Sequence, residues 1–300
     1  MDRGLKLLAV LTAVGMLVVV IMGAIVTNTG SANGCGTSWP LCYGRVIPEQ
    51  MNHKTWIELS HRVVSALLGM MVLALAVWST LRLPQKREVK WLAGMSVFFI
   101  VLQGLLGGAA VIWQQSSFAL ALHFGFSIIS FASVLLLAYV IFERLNADAQ
   151  YTPLLNRTLR GHIYGLTLYT YAVVYSGAFV RHSGSAAGCG TSWPLCHGEW
   201  LPALTTPGGV QFIHRVAAGI VFLWTLYLLM RLWKPFRSDR FLRMTALTGF
   251  LLISAQVFTG ALVVVSGLSL IFLLLHAFFI TCYFGILCFL YMIALRAGRP

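Results

Sequence analysis

The amino-acid sequence predicts an all-α integral membrane protein whose eight transmembrane helices form two tandem, pseudo-symmetric four-helix bundles. The first observation behind this prediction is composition. Of 300 residues, 59% are apolar and only 10% are charged, whereas soluble domains average about 25% charged residues. The second is a series of long uncharged runs. The third is an internal repeat, because the letters GCGTSWPLC occur at 34–42 and again at 188–196.

The uncharged runs give the predicted spans. A bilayer core about 30 Å thick requires roughly 20 helical residues. Runs of suitable length cover 7–26, 63–81, 91–113, 118–142 and 162–180. The stretch 244–295 carries no formal charge and is too long for one crossing, so we expect a hairpin at Ser266 and Gly267. The remaining span runs from Val210 to Met230, which brings the predicted number of spans to eight.

Lysine and arginine predict the orientation of these spans, because cytoplasmic segments of membrane proteins are enriched in both residues. With the N-terminus inside, the inner segments carry 16 of the 21 lysines and arginines and the outer segments carry five. We therefore expect both termini to be cytoplasmic, in a multi-pass protein of the cell membrane. The net charge of +13 is mostly this orientation signal, which leaves a nucleic-acid partner without support.

The repeat predicts the domain organisation. Residues related by 154 positions are Gly23 and Gly177, Cys35 and Cys189, Trp39 and Trp193, and Cys42 and Cys196. After one deletion the offset is 153, and it relates His61 to His214, Arg62 to Arg215, Gln103 to Gln256, Gly107 to Gly260, and His123 to His276. Both halves begin inside and contain an even number of spans, so the repeat is parallel, about an axis along the membrane normal. We expect an N-terminal bundle at 1–150 and a C-terminal bundle at 151–300.

Four histidines of the repeat are predicted to lie in pairs at one depth. His61 follows the start of its span by about five residues, as does His123, and both helices run inward from the outer surface. The repeat predicts the same for His214 and His276. Two histidines on different helices of one bundle can ligate a metal or haem from opposite faces. Zinc is less favoured, because no third or fourth ligand recurs at that depth.

A structural interpretation of these histidines also exists. A lone histidine near the end of a membrane helix is usually an interfacial residue or a helix-to-helix hydrogen bond. Ionisable residues inside a membrane are costly, however, and those that pair both by repeat and by depth favour a functional interpretation. The sequence therefore predicts one paired-ligand site in each half.

The two halves differ at one ionisable position. The first half reads ELSHR and the second QFIHR, so Glu58 lies one helical turn before His61, and Gln211 has the same place before His214. In one interpretation, the glutamate only orients its histidine or binds a stray cation. In the other it serves proton transfer or charge stabilisation beside a reacting centre. The second interpretation predicts one working site and one supporting site.

Cysteine pairs lie in the two long outer connections, 28–55 and 182–209, with the spacing C-x6-C. The pairs are Cys35 with Cys42 and Cys189 with Cys196. The outer compartment is one in which disulfides persist. Each pair would stabilise the fold by roughly 2 to 3 kcal/mol as a structural staple, whereas a strained, exposed disulfide would be redox-active. The spacing alone leaves both alternatives open.

Two arginines and two glutamines complete the repeated polar positions. Arg62 and Arg215 each follow a candidate ligand histidine, where a guanidinium would suit a carboxylate such as a haem propionate. Ordinary snorkelling of an interfacial arginine explains them equally well. Gln103 and Gln256 are expected to make close helix packing with a buried amide hydrogen bond.

The motifs ELSHR and ALHFG in the first half, FIHR and LLHAF in the second, and TGSANGCGTSWPLC in the first outer connection together form a specific set. With two repeated bundles around them, they resemble the haem A synthase family of bacterial type over essentially the whole chain. The resemblance implies an oxygen-dependent oxidation in which the C8 methyl of haem O is hydroxylated twice. Dehydration then gives the formyl group of haem A, the haem of terminal oxidases.

The resemblance also implies residue roles, cofactor and partners. His61 and His123 would hold the substrate haem O, with Glu58 as the catalytic group beside it. His214 and His276 would ligate a resident haem b as cofactor. Haem O synthase and terminal oxidase assembly factors are the implied protein partners, and the electron donor is left open.

The family's first cysteine pair, implicated in activity, falls on Cys35 and Cys42. The second outer connection copies the first almost letter for letter, which counts against a catalytic role for this pair. A cofactor-binding half would have little reason to keep a catalytic element. We therefore expect a shared structural clasp in each half.

Other functions fit parts of the pattern. One is a bis-histidine membrane cytochrome that carries electrons between quinol and an external acceptor. Another is a thiol-quinone oxidoreductase that uses the cysteine pairs. A transporter is disfavoured because charged residues at mid-span and recurring broken helices are both missing from the pattern. The difference between Glu58 and Gln211 argues against the cytochrome, since electron transfer alone does not require the halves to differ.

Overall fold

The computed structural model describes residues 2–113, 116–146 and 150–297. Within these ranges the chain forms eight long helices, and each is long and apolar enough to cross a membrane. They are α1 (Asp2–Asn28), α2 (His53–Arg82), α3 (Arg87–Ile112), α4 (Ser117–Asn146), α5 (Arg157–His182), α6 (Pro207–Trp233), α7 (Arg240–Val265) and α8 (Leu270–Arg296). The predicted all-α, eight-span fold is confirmed. The cytoplasmic placement of the termini stays a prediction, and Arg299, counted among the inner charges, lies outside the described residues.

The helices extend beyond the uncharged runs, and α2 begins ten residues before its run at 63–81. Helix α2 begins at His53, where the side chain of Asn52 accepts a hydrogen bond from the backbone nitrogen of Thr55 at 2.9 Å. Helix α6 begins at Pro207, and the hydroxyl of Thr206 accepts from the nitrogen of Gly209 at 3.1 Å. These caps satisfy backbone donors that would otherwise lack partners. The first turns of α2, which carry His53, Lys54 and Glu58, therefore lie before the uncharged run, whereas α6 begins only three residues before the predicted start at Val210.

The predicted hairpin in the long uncharged stretch lies where α7 ends and α8 begins. Helix α7 ends at Val265 and α8 begins at Leu270. Gly267 in the connection has φ of +66°, a left-handed conformation that a residue without Cβ adopts at little cost. The two helices therefore return through the membrane as an antiparallel pair.

The chain divides into two compact units, residues 1–150 and 151–300. In the first unit α1 packs on α2, α2 on α3, α3 on α4, and α4 returns to α1. We call α1 to α4 the first bundle. In the second unit α5 to α8 pack in the same cyclic order, and we call them the second bundle. In both bundles the second and fourth helices are thus diagonal, separated by the first and third.

Each bundle carries one long connection closed by a disulfide. The first loop, residues 29–52, holds the Cys35–Cys42 bond with an S–S distance of 2.07 Å, and the second loop, residues 183–206, holds Cys189–Cys196 at 2.11 Å. The loops share their backbone course, since Tyr43 and its counterpart His197 have φ of 52° and 53°. The predicted disulfide pairing is confirmed. Whether these bonds are structural or redox-active stays a prediction.

Candidate functional site

The candidate ligand histidines of the first bundle lie on its diagonal helices. His61 is in α2, eight residues after the helix begins, and His123 is in α4, six residues after its helix begins. At about 1.5 Å per residue they lie about 12 and 9 Å from the helix starts, which is a similar depth. The structure therefore places the pair that the sequence predicts at a similar depth of one bundle.

The second bundle repeats this arrangement. His214 is in α6, seven residues after Pro207, and His276 is in α8, six residues after Leu270. These two imidazoles therefore also lie at a similar depth. Each bundle thus offers one pair of nitrogen ligands from diagonal helices.

A glycine of the preceding helix lies against each of the four imidazoles. A Cβ added to the glycine would meet the ring atom Cε1 at 3.4 Å for Gly23 and His61, 3.5 Å for Gly107 and His123, 3.0 Å for Gly177 and His214, and 3.0 Å for Gly260 and His276. Glycine inside a helix costs about 0.5 to 1 kcal/mol relative to alanine. The room it gives to the imidazole is a physical reason for glycine at these repeated positions.

The donor set fits haem rather than a bare metal ion. Across the described ranges, no group of three or more histidine, cysteine, aspartate or glutamate side chains could hold an ion. Two histidines on diagonal helices of one bundle are instead a donor set that fits a haem iron. The Nδ1 atoms of His61 and His123 are buried and have no hydrogen-bond partner among the residues that the structure describes. The protein itself therefore does not fix these two rings through Nδ1.

Glu58 anchors the first loop to α2. Its side chain is 4% exposed; Oε2 accepts a hydrogen bond from the backbone nitrogen of Cys35 at 2.8 Å, and Oε1 pairs with Arg62. The glutamate therefore lies at the junction of loop and helix, one turn outside His61. Its role in proton transfer is not tested by this geometry and stays a prediction.

Gln211 makes the equivalent contact in the second bundle. Its Oε1 accepts from the backbone nitrogen of Cys189 at 2.8 Å, and its Nε2 donates to the carbonyl of Ala186 at 2.9 Å. The loop is therefore held in the same way by a neutral amide. Glu58 and Gln211 thus make the same contact with a cysteine nitrogen, but Glu58 also carries a charge and pairs with Arg62, whereas Gln211 donates to a carbonyl.

The arginines that follow the ligand histidines differ in how far their donors are used. Nη1 of Arg62 donates to first-loop carbonyls at 2.8 and 2.9 Å, while Nη2 pairs with Glu58. Nη1 of Arg215 donates to second-loop carbonyls at 3.0 and 3.2 Å. Its Nε and Nη2 atoms are buried and have no partner within the described part of the chain. Arg215 therefore retains donors for a carboxylate, as expected for a haem propionate, whereas Arg62 already has one.

Other side chains near the histidines add detail that the sequence did not predict. The indole of Trp39, in the first loop, lies over Gly108 of α3, where an added Cβ would meet it at 2.9 Å. Gly108 follows Gly107, which backs His123, so the first loop covers the outer end of this histidine site.

In the second bundle, the Nε2 atoms of Gln256 and His276 are 3.0 Å apart. Gln256 was expected to make a buried amide hydrogen bond between helices, and its partner is the candidate ligand His276.

Comparison with known proteins gives matches along the whole chain. A family model described as Cytochrome oxidase assembly protein matches residues 6–288. A protein named haem A synthase from Geobacillus kaustophilus (strain HTA426) is 46% identical over 299 residues, covering 100% of this chain and 94% of the relative. Another of that name, from Shouchella clausii (strain KSM-K16), is 43% identical over 298 residues, with 99% of both chains covered. A third, from Bacillus licheniformis, is 43% identical over 301 residues, with 100% and 99% covered.

Proposed function

The chain belongs to the cytochrome oxidase assembly family that contains the haem A synthases, and on this premise we propose how its two bundles divide one reaction. The enzyme is a multi-pass oxidoreductase of the cytoplasmic membrane that converts haem O to haem A by oxidising a methyl group. We assign the substrate to the first bundle, residues 1–150, and a resident haem b to the second, residues 151–300. The finer course of the reaction is two successive hydroxylations of the C8 methyl, followed by dehydration to the formyl group.

The observation that carries this division is the exchange of Glu58 for Gln211. Both side chains hold the nitrogen of a loop cysteine at 2.8 Å. Since a neutral amide suffices for that contact, anchoring the loop does not require a charge in the first bundle. The carboxylate of Glu58 is therefore available as the ionisable group of the reacting site, where hydroxylation consumes protons as well as electrons.

In the first bundle, His61 and His123 hold haem O from two sides. Their position on diagonal helices leaves the space between them to the substrate, and Gly23 and Gly107 give each ring room against the neighbouring helix. Trp39 and the first loop cover the outer end of this site and exclude water from it. Glu58 lies buried at the same end, where it can exchange a proton with the reacting site.

In the second bundle, His214 and His276 are the ligands of haem b, the cofactor. When bound, this haem supplies one-electron transfer. The two buried donor atoms of Arg215 would receive a propionate. Arg215 lacks the carboxylate neighbour that Arg62 has in Glu58, so the bound haem provides the missing negative charge. This need for a charge favours a haem that stays in place.

Pigment content of purified variants tests the assignment. We expect His214→Ala and His276→Ala to lose haem b, because each removes one of two axial ligands. We expect His61→Ala and His123→Ala to keep the haem b spectrum and to accumulate unconverted haem O in the cells. The measurement is extraction of pigments followed by mass separation of haems O, A and B. An unchanged haem b content in His214→Ala, or normal haem A in His61→Ala, would contradict the assignment.

A further inference from the structure

The hydrogen bonds of the ligand histidines differ between the bundles. We infer that Ser176 is a positioning residue that fixes His214 with its Nε2 free for iron, so that the second bundle retains its haem while the first bundle, which lacks this contact, releases its own. The inference rests on the proposed function, because it takes the second bundle as the haem b site.

The contacts of Ser176 determine which ring nitrogen of His214 carries the proton. The hydroxyl of Ser176 donates to the carbonyl of Val173 at 2.7 Å, and its oxygen lies 2.8 Å from Nδ1 of His214. A hydroxyl has one hydrogen to donate, and the carbonyl can only accept. The oxygen of Ser176 must therefore accept from Nδ1, which carries the proton and leaves the lone pair on Nε2.

His276 has the same tautomer for a related reason. Its Nδ1 lies 3.1 Å from the backbone carbonyl of Gln256, which can only accept, and 3.5 Å from the hydroxyl of Thr259. The side-chain amide of Gln256 approaches Nε2 at 3.0 Å and donates to it. Nε2 is therefore the nitrogen with the lone pair in both rings of the second bundle. At His276 the amide of Gln256 uses that lone pair and would have to give way to iron.

The counterparts in the first bundle cannot make the two side-chain contacts. The repeat places Met22 where the second bundle has Ser176, and Leu106 where it has Thr259. The Nδ1 atoms of His61 and His123 accordingly have no partner in the described part of the chain. Neither ring is held in one tautomer by a side chain.

The glycine contacts show the same difference in tightness. An added Cβ would lie 3.0 Å from the nearest ring atom at Gly177 and Gly260 in the second bundle, and 3.4 and 3.5 Å from it at Gly23 and Gly107 in the first. The rings of the second bundle are therefore seated closer to the backbone. Closer seating and a fixed proton act together to limit rotation of the imidazole.

A partner on the far nitrogen changes the ligand as well as its orientation. It raises the basicity of the histidine, and its loss typically lowers metal affinity 10- to 100-fold. A more basic ligand favours the ferric state, so it lowers the reduction potential of the bound haem. A cofactor gains from firm ligation, whereas a substrate has to leave after it has reacted. The distribution of Ser176 and Met22 follows this requirement.

The reduction potential of haem b in the full-length enzyme tests the inference. We expect Ser176→Ala to favour the ferrous state about tenfold, which corresponds to a rise of about 59 mV for a one-electron couple. Ser176→Thr keeps a hydroxyl and should restore the potential of the unchanged enzyme. A purely structural role for Ser176 would lower the melting temperature without moving the potential. A Ser176→Ala enzyme with full haem b content and an unchanged potential would overturn the inference.

Introducing a serine at the equivalent position of the first bundle, Met22, gives an independent test, in which the rate of haem transfer is measured. Met22→Ser supplies the missing acceptor to His61, and we expect about tenfold slower transfer of the first-bundle haem to excess apomyoglobin. Unchanged transfer would count against the inference, and this variant decides the matter if Ser176→Ala does not accumulate. The proposed function is tested separately: it fails if His214→Ala retains haem b. If His214→Ala loses haem b, and neither Ser176→Ala nor Met22→Ser has the expected effect, the inference is wrong and the proposed function stands.

Discussion

At the scale of single residues, the side chains that anchor the two disulfide loops differ in one group, a carboxylate oxygen in the first bundle and an amide nitrogen in the second. Glu58 and Gln211 are almost the same size, and both are buried, with exposures of 4% and 5%. Each accepts from a cysteine nitrogen at 2.8 Å. The second bundle therefore shows that an amide at this position keeps the contact with the cysteine nitrogen, while Glu58→Gln would also remove the ion pair with Arg62.

Glu58→Gln is the substitution that tests the carboxylate. We expect the loop and the haem b spectrum to be retained, because the amide of Gln211 already holds the second loop in the same manner. Conversion of haem O to haem A should fall by roughly 10²-fold or more, the usual contribution of a group that transfers a proton. The measurement is the ratio of haem A to haem O in extracted membranes. Wild-type conversion in Glu58→Gln would show that the carboxylate is dispensable.

Alanine at Gly177 tests whether the small residue makes room for a ligand histidine. A Cβ there would meet Cε1 of His214 at 3.0 Å, so we expect the ring to move and haem b binding to weaken at least tenfold. Gly161 is in the same helix, and nothing lies within 4 Å of a Cβ added to it. Gly161→Ala should therefore keep haem b and gain about 0.5 to 1 kcal/mol in helix stability. Equal haem b content in the two variants would contradict the role of Gly177.

At the scale of elements, the disulfide loops are held by several bonds at once. The first loop has the Cys35–Cys42 bond, the contact of Cys35 with Glu58, and a hydrogen bond of 2.7 Å from the hydroxyl of Thr55 to the carbonyl of Gly34. The second has Cys189–Cys196 and its contact with Gln211. Loss of one disulfide therefore leaves a loop that is still attached to its bundle.

Cys189→Ser tests the loop as a structural clasp. Opening this short ring should lower the free energy of unfolding by roughly 2 to 3 kcal/mol, measured by thermal denaturation in detergent. Haem b content and haem A production should persist, because Gln211 still binds the backbone nitrogen at position 189. Abolished activity with fold and haem b intact would refute the clasp and favour a redox function. Cys35→Ser in the first loop is the matched comparison.

The sequence predicted the elements better than their ends and their finer contacts. Charge-free length located the spans, and an internal turn in the long uncharged stretch was recognised because one crossing cannot use so many residues. The starts of α2 and α6, at His53 and Pro207, lie slightly before the predicted starts, since they depend on caps rather than on apolar length. The contact of Ser176 with His214 was missed. A lone serine carries no signal until the fold shows which ring faces it.

At the scale of the whole molecule, the internal repeat predicted the architecture. Matching letters at a constant offset implied two similar units, and the described residues form two bundles with the same cyclic packing order. The pairing of histidines at one depth followed from that repeat. The functional division between the bundles is not visible in the repeat itself. It rests on the positions that break the repeat, Glu58 and Ser176 among them.

The orientation of the chain in the membrane is a prediction at this scale. Ser238 lies in the connection between α6 and α7, and Ser266 in the connection between α7 and α8; both are exposed. Because basic residues cluster in the first of these connections, it should face the cytoplasm. A membrane-impermeant thiol reagent added to intact cells should label Ser266→Cys and spare Ser238→Cys. The opposite pattern would reverse the topology. The unsubstituted enzyme, with Cys282 and Cys288 in α8, provides the background.

The matching anchors of the two loops have an evolutionary consequence. Each loop is tied to its own bundle by a side chain at an equivalent position of α2 or α6. Codons for glutamate and glutamine differ by a single nucleotide, so the two copies of a duplicated gene can exchange them in one mutational step without losing the anchor. A bundle of this kind can thus acquire or abandon an ionisable group while its fold persists, and selection acts on chemistry alone at that position.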